Sequence, residues 1–284
     1  MALVKISEIL KKAKDEKYAV GAFNADNLEM VQSFIAASEK MRSALIIQVS
    51  LGAINYSGLG SVVNIALYEA RSASVPVAVH LDHITDFDHN VLALRAGVGS
   101  LGVDAAALSF SDNLSLSKQV CSLAHIAGLD AEAGIGYVPD VNENYSPSEI
   151  NDHKTKINEA IKFVEETKVD LLAVAVGSMR GMGERKIDLD ISLLQQINHR
   201  LNIPLVLHGA SGVKWDSIKE AIKNGICKVN ISSTFDQRFL NAIRYELSQR
   251  PKEINFRSIF KIAKQAVEDE VCEIIKKLGS NNKY

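Results

Sequence analysis

Three short segments carry residues that could do chemistry together. HLDH holds His80, Asp82 and His83; HGASG holds His208, Gly209 and Ser211; NISS holds Asn230, Ser232 and Ser233. His83 and His208 could bind a metal through their imidazoles, with the Asp82 carboxylate beside them to move a proton. Two histidines fall one short of the three protein ligands that a catalytic zinc usually takes. The glycines and small hydroxyls of HGASG and NISS each precede a helical stretch, and helix N-termini attract anions such as phosphate. The plainer alternative is that Ser211 and Ser233 only cap helices. Further polar residues end other apolar runs: Asn24, Ser50, Asp104 and Glu132, and the loop residues Gly177, Ser178, Arg180 and Gly181.

Something must bring these residues to one place. Eight apolar runs read as strands: 18–23, 44–50, 76–82, 98–104, 128–134, 170–176, 203–209 and 225–231. Several are nearly continuous, as in parallel strands buried on both faces. Helical spacing is predicted at 28–41, 64–73, 113–128 and 147–168, the last with Ser146 before Pro147 as its N-cap and first residue. Further helices are predicted near 191–199, 214–223, 235–248 and 256–278. Eight strands alternating with helices predict an α/β protein, a (β/α)8 TIM barrel, in which the strand C-termini form the reactive mouth. GAFNADN has one glycine after the first strand, which disfavours a doubly wound dinucleotide-binding sheet. No linker or repeat divides the chain, so residues 1–284 are expected to form one domain closed by helix 256–278, with only SNNKY (280–284) frayed.

Of the 284 residues 47% are hydrophobic, enough for a large core, and the net charge is −2, with no basic excess for nucleic acid or an anionic membrane. Apolar runs stay below about ten residues, against the roughly 20 of a membrane helix. Cys121, Cys227 and Cys272 form no CxxC motif, and are expected to be reduced thiols of a cytoplasmic protein.

YAVGAFNADNLE, IIQVSLGAINYSG, PVAVHLDH, IPLVLHGASGV and CKVNISS resemble, in this order and over nearly the whole chain, segments of the class II fructose-bisphosphate and tagatose-bisphosphate aldolases. The resemblance implies a zinc-dependent barrel that cleaves a ketose bisphosphate into dihydroxyacetone phosphate and an aldehyde, usually as a homodimer or homotetramer. It gives Asp82 the acid/base role at the C4 hydroxyl, and makes His83 and His208 zinc ligands. Gly209, Ser211, Asn230 and Ser233 match phosphate and triose positions, Asn24, Ser50 and Gly181 line the same mouth, and Asp104 and Glu132 support the ligands.

The departures from the family pattern are local. Where the family reads GTSHG, this chain reads GSMRG, so Arg180 occupies the place of the third zinc ligand. Gly134 replaces an acidic position, Asp140, Glu143 and Glu149 are the acids of the following loop, and Arg185 and Lys186 lie near the place of a displaced lysine. A guanidinium has no lone pair to give zinc. Beside a divalent ion at about 4 Å, it would be repelled by on the order of 8 kcal/mol at an effective dielectric near 20. The expectation is a lyase whose zinc is lost or weakened, with Arg180 acting as an electrostatic group. Alternatives are a lyase of shifted reaction specificity, a zinc site completed by His153, a Schiff-base enzyme using Lys228, a sugar-phosphate-binding relative or partner subunit without lyase activity, and an Arg180 that merely faces solvent. Arg257 could approach a phosphate or be a plain surface charge.

Overall fold

A computed structural model describes residues 2–143, 145–181 and 184–284; Met182 and Gly183, which end the loop read around Arg180, lie outside the described residues. The strands are β1 Val20–Asn24, β2 Leu45–Ser50, β3 Val77–Asp82, β4 Ser100–Val103, β5 Asp130–Ile135, β6 Leu171–Val174, β7 Leu205–Leu207 and β8 Ile226–Ile231. They pair in parallel, each with the next and β8 with β1, to close the barrel. The helices are α1 Ile6–Glu16, α2 Leu28–Met41, α3 Leu51–Ser57, α4 Leu59–Ser72, α5 Phe87–Ala96, α6 Phe110–Ile126, α7 Pro147–Asp152, α8 Ile157–Thr167, α9 Ile191–Arg200, α10 Trp215–Lys223, α11 Ser233–Gln249 and α12 Phe256–Leu278. The main core lies between the strands and the surrounding helices.

The barrel floor is closed by α1, which the sequence reading passed over as a charged N-terminus. Its Ile6, Ile9, Leu10 and Ala13 are buried against Val20, Ile46, Ala78, Leu171 and Val206. Burial stabilises by roughly 1.5–3 kcal/mol for each large aliphatic side chain. The helix α5 also went unassigned, because its apolar stripe is weak: only Asn90 and Ala93 are buried.

The stretch 147–168 is not one helix but two, α7 and α8. Thr155 makes the break. Its hydroxyl donates to the Ile135 carbonyl at 2.6 Å and accepts from the Ala175 amide at 2.8 Å, drawing the chain onto the ends of β5 and β6. Ser146 caps α7 as expected, with Glu149 completing the capping box. The segment 280–284 is not frayed either. Ser280 is buried against Ser43, and the Asn282 amide donates to Met41 and the Lys283 and Tyr284 amides to Arg42.

A packed aromatic triad sets the position of α11. Phe235, in its first turn, lies 5.0 Å from Phe23 and 4.9 Å from Phe34, ring centre to ring centre. That fixes the start of α11, and hence Ser233, over the ends of β8 and β1.

Candidate functional site

Alternation along the strands sends two layers of polar side chains into the barrel. The lower layer contains His80 of β3, Glu132 of β5 and Lys228 of β8, all buried. Glu132 accepts from Lys228 Nζ at 2.7 Å and from His208 Nε2 at 2.9 Å. Lys228, fully enclosed, therefore meets a carboxylate and does not reach the mouth, which leaves no place there for a Schiff base. His80 bonds Ser100 at 2.8 Å; burial and the Lys228 charge push its pKa down to about 4, so it is neutral. Although burial opposes its ionisation, Lys228 and the histidines hold Glu132 well below the usual carboxylate range. Lys228→Met should cost about 3–5 kcal/mol in chemical denaturation, because the Glu132 charge stays buried without its ammonium. Adding Glu132→Gln should recover most of that loss; a single mutant as stable as the parent would contradict the pairing.

The upper layer is the mouth. Asp82 ends β3 and His83 follows in a left-handed backbone conformation, φ +55°, which is strained for a non-glycine residue. This turn brings His83 Nδ1 to 2.8 Å from Asp104 Oδ2 and its Nε2 to 3.5 Å from Asp82 Oδ2. Burial works against its protonation, but Asp82 and Asp104 together raise its pKa. The His208 ring stands edge-on to His83, centroids 4.5 Å apart, and burial followed by the His83 charge lowers its pKa. Arg180 converges on the same place: its Nη2 donates to Asp104 Oδ2 at 2.5 Å, the oxygen that His83 also meets. It is no solvent-facing bystander. Asp104, despite its burial, is held far below the carboxylate range by His83 and Arg180.

Above these residues lies a cavity of about 250 Å³, lined among others by Asn24, His83, Arg180, Gly181, Gly209, Ser211, Asn230 and Ser233. Asp82 lies just beneath its floor, accepting from Asn230 Nδ2 at 3.2 Å and Asn24 Nδ2 at 3.5 Å. Neither Ser211 nor Ser233 caps a helix; their hydroxyls meet at 3.3 Å beside the cavity, and Ser232 at the start of α11 makes no side-chain cap. The first amides of this 17-residue helix therefore lack the usual side-chain acceptor. Gly209 has φ +67°, and a Cβ there would lie 2.8 Å from the Met179 carbonyl, so only glycine fits.

Some expected residues lie elsewhere. Ser50 caps α3 through the Ala53 amide at 3.3 Å instead of lining the cavity. His153 sits at the α7–α8 break, edge-on to Tyr137 and Tyr145, and is in neither cluster of converging metal-type ligands. Glu143 accepts from Tyr137 and the Asp140 amide, both at 2.6 Å, Asp140 accepts from Asn142, and Glu149 serves its capping box. Arg257 is exposed beside Asn255, and Lys186 pairs with Glu184 on the surface. His80, grouped in the sequence with Asp82 and His83, is on the same strand face as Asp82 but lies in the lower layer, bonded to Ser100.

A metal is offered one atom each by Asp82, His83 and His208, all within 4.8 Å of one another. The set fits zinc poorly. Asp82 already accepts from two amides, and the third imidazole position carries a guanidinium. No helix among the described residues is long and apolar enough to cross a membrane.

Comparisons with known proteins bear on the fold and the family. The profile of the family described as "Fructose-bisphosphate aldolase class-II" matches residues 4–283. The chain is similar to a fructose-bisphosphate aldolase of Helicobacter pylori (strain J99), 37% identical over 307 aligned positions and 99% of each chain. Among solved structures, it resembles the YdjI aldolase of Escherichia coli K12 with a TM-score of 0.86 and 30% identity over 99% of each chain. It also resembles a putative fructose-1,6-bisphosphate aldolase of Coccidioides immitis, TM-score 0.88 and 27% identity over 98% of this chain and 97% of that one. The chain belongs to the class II fructose-bisphosphate aldolase family.

Proposed function

We propose that the protein makes and breaks the carbon–carbon bond of a phosphorylated ketose, giving dihydroxyacetone phosphate and an aldehyde, at a site where zinc binding is weak or lost. The carrying observation is the charge pairing around Asp104. Asp82, Asp104 and Glu132 bring three negative charges, and Lys228 cancels one of them. A family member with a third histidine would balance the remaining two with a divalent ion. In this chain the Arg180 guanidinium supplies one such charge directly at Asp104 Oδ2, the oxygen that also meets His83, whose pKa Asp82 and Asp104 raise against its burial. Asp104 also removes much of the cation–metal repulsion expected from sequence, so weak zinc binding rests mainly on the missing lone pair.

In this reading the phosphate takes the Gly209–Ser211 turn and the open start of α11, where N–H and O–H donors gather. Arg180 has no partner at Nε or Nη1 among the described residues and lines the cavity, placed to hold the substrate carbonyl and stabilise an enediolate as charge develops. Asp82 takes the C4 hydroxyl proton; the hydroxyl reaches it by displacing the Asn24 or Asn230 amide. The protein works in the cytoplasm as a homodimer or homotetramer, which its mass in solution measures.

Purified protein should carry substoichiometric zinc, and its cleavage of ketose phosphates should persist in a chelator. Stoichiometric zinc with chelator-sensitive cleavage would sink this reading. A second reading, a binding relative without lyase activity, is favoured by one feature: Asp82 is sealed beneath two asparagines. Thermal stabilisation by a sugar phosphate with no cleavage under any condition would select it.

A further inference from the structure

The turn Ala210–Gly212 carries Ser211 to the cavity, yet little within the turn itself holds it. One internal bond closes it, from the Val213 amide to the Ala210 carbonyl at 3.1 Å. The rest of its support comes from the segment that follows the Arg180 loop. Gly212 accepts from the Lys186 amide at 2.9 Å and the Ile187 amide at 3.0 Å, and the Lys214 amide donates to Ile187 at 2.9 Å. Arg185 adds a side chain to this backbone ladder. Its Nη1 donates to the carbonyls of Ala210 and Val213, both at 2.8 Å, bridging the two ends of the turn.

Arg185 is itself held in place. Its guanidinium lies over the Trp215 ring, 3.9 Å from the centroid, and Lys277 of α12 approaches that ring at 4.7 Å. A planar cation stacked on an indole keeps its orientation, and stacking leaves its N–H edge free to donate. In a trans peptide the carbonyl of one residue and the N–H of the next point in opposite directions. With the Ala210 carbonyl turned to Arg185, the Ser211 N–H is turned away from Arg185, and Ser211 itself lines the cavity.

We infer that Arg185 is a positioning residue that sets the anion-binding turn, aiming the Ser211 N–H at a bound phosphate from behind. This rests on the anion reading of the turn proposed above. It also gives the chain's single tryptophan a use, because Trp215 emission reports whether Arg185 is in place.

Calorimetric titration with inorganic phosphate tests the inference, with Trp215 emission and the melting temperature recorded on the same samples. Arg185→Ala should change the emission of the free protein and weaken phosphate binding by about tenfold, the worth of one charge-assisted hydrogen bond. Arg185→Lys should recover part of the affinity: its ammonium can still donate to carbonyls but cannot lie flat on the indole. The lysine variant also keeps the test open if the alanine variant folds poorly. Unchanged emission, or phosphate affinity within about twofold of wild type in folded Arg185→Ala, overturns the inference. No phosphate binding by the wild type is a different failure: it overturns the anion reading, and the inference falls with it.

Discussion

Arg180→His should raise zinc affinity by at least about a hundredfold, since even partners that only support metal ligands are worth 10–100-fold. The geometry for this gain is already present. His83 has spent Nδ1 on Asp104 and His208 has spent Nε2 on Glu132, so each keeps its other nitrogen for a metal. A third imidazole would complete the usual set of three protein ligands. Removing the guanidinium also frees Asp104 from its contact at 2.5 Å, leaving the cluster one positive charge short. That deficit favours a cation further. Equilibrium dialysis against zinc, with Arg180→Ala as the control, measures the effect. The alanine variant removes the charge without adding a lone pair, and should gain far less than the histidine variant. Equal affinity in all three proteins would show that position 180 does not govern the metal.

Asp82→Asn should lower turnover by about 10²–10⁴-fold, the usual worth of a positioned acid/base group. Phosphate affinity should hardly change, because Asp82 lies under the cavity floor and not on its wall. Asparagine fills the same space; its oxygen keeps the bond from Asn24, and a flipped Asn230 amide can offer its otherwise unpartnered Oδ1 to the new NH2 group, so the fold is kept. Burial would raise the Asp82 pKa, but His83, Lys228 and His208 outweigh it and keep the carboxylate ionised. A proton acceptor is thus ready at neutral pH, and the amide variant has none. Single-turnover cleavage, with ligand affinity measured separately, divides the two effects. Full turnover in Asp82→Asn would move the proton chemistry to another residue.

Much of this site was legible in the sequence, because strand alternation fixes which side chains share a face. His80 and Asp82, or Lys228 and Asn230, point inward together for that reason alone. The barrel followed from the same runs. What stayed hidden depended on non-local partners. Nothing near Thr155 announces that its hydroxyl will stitch β5 to β6 and split a helix. Nothing in RGMGERK shows that Arg185 turns back to the 210–213 turn while Arg180 reaches Asp104. Ser50 illustrates the reverse error: a polar residue at a strand end that caps the next helix. The floor helix was within reach of sequence reading, since Ile6, Ile9, Leu10 and Ala13 have helical spacing.

The loop after β6 is tied to the loop after β5 through the main chain of residue 180: the Arg180 amide donates to Pro139 at 2.8 Å and its carbonyl accepts from Val141 at 3.1 Å. Any side chain except proline, which has no N–H to donate, leaves both bonds in place. Position 180 is thus a socket whose frame ignores what is plugged into it. Histidine and arginine codons can differ by a single base, so a metal-bound and an arginine-based mouth are neighbours in mutational space, joined by one step that need not pass through an unfolded intermediate. A lineage could cross in either direction as zinc supply changed, keeping the barrel, the anion turn and Asp82 throughout.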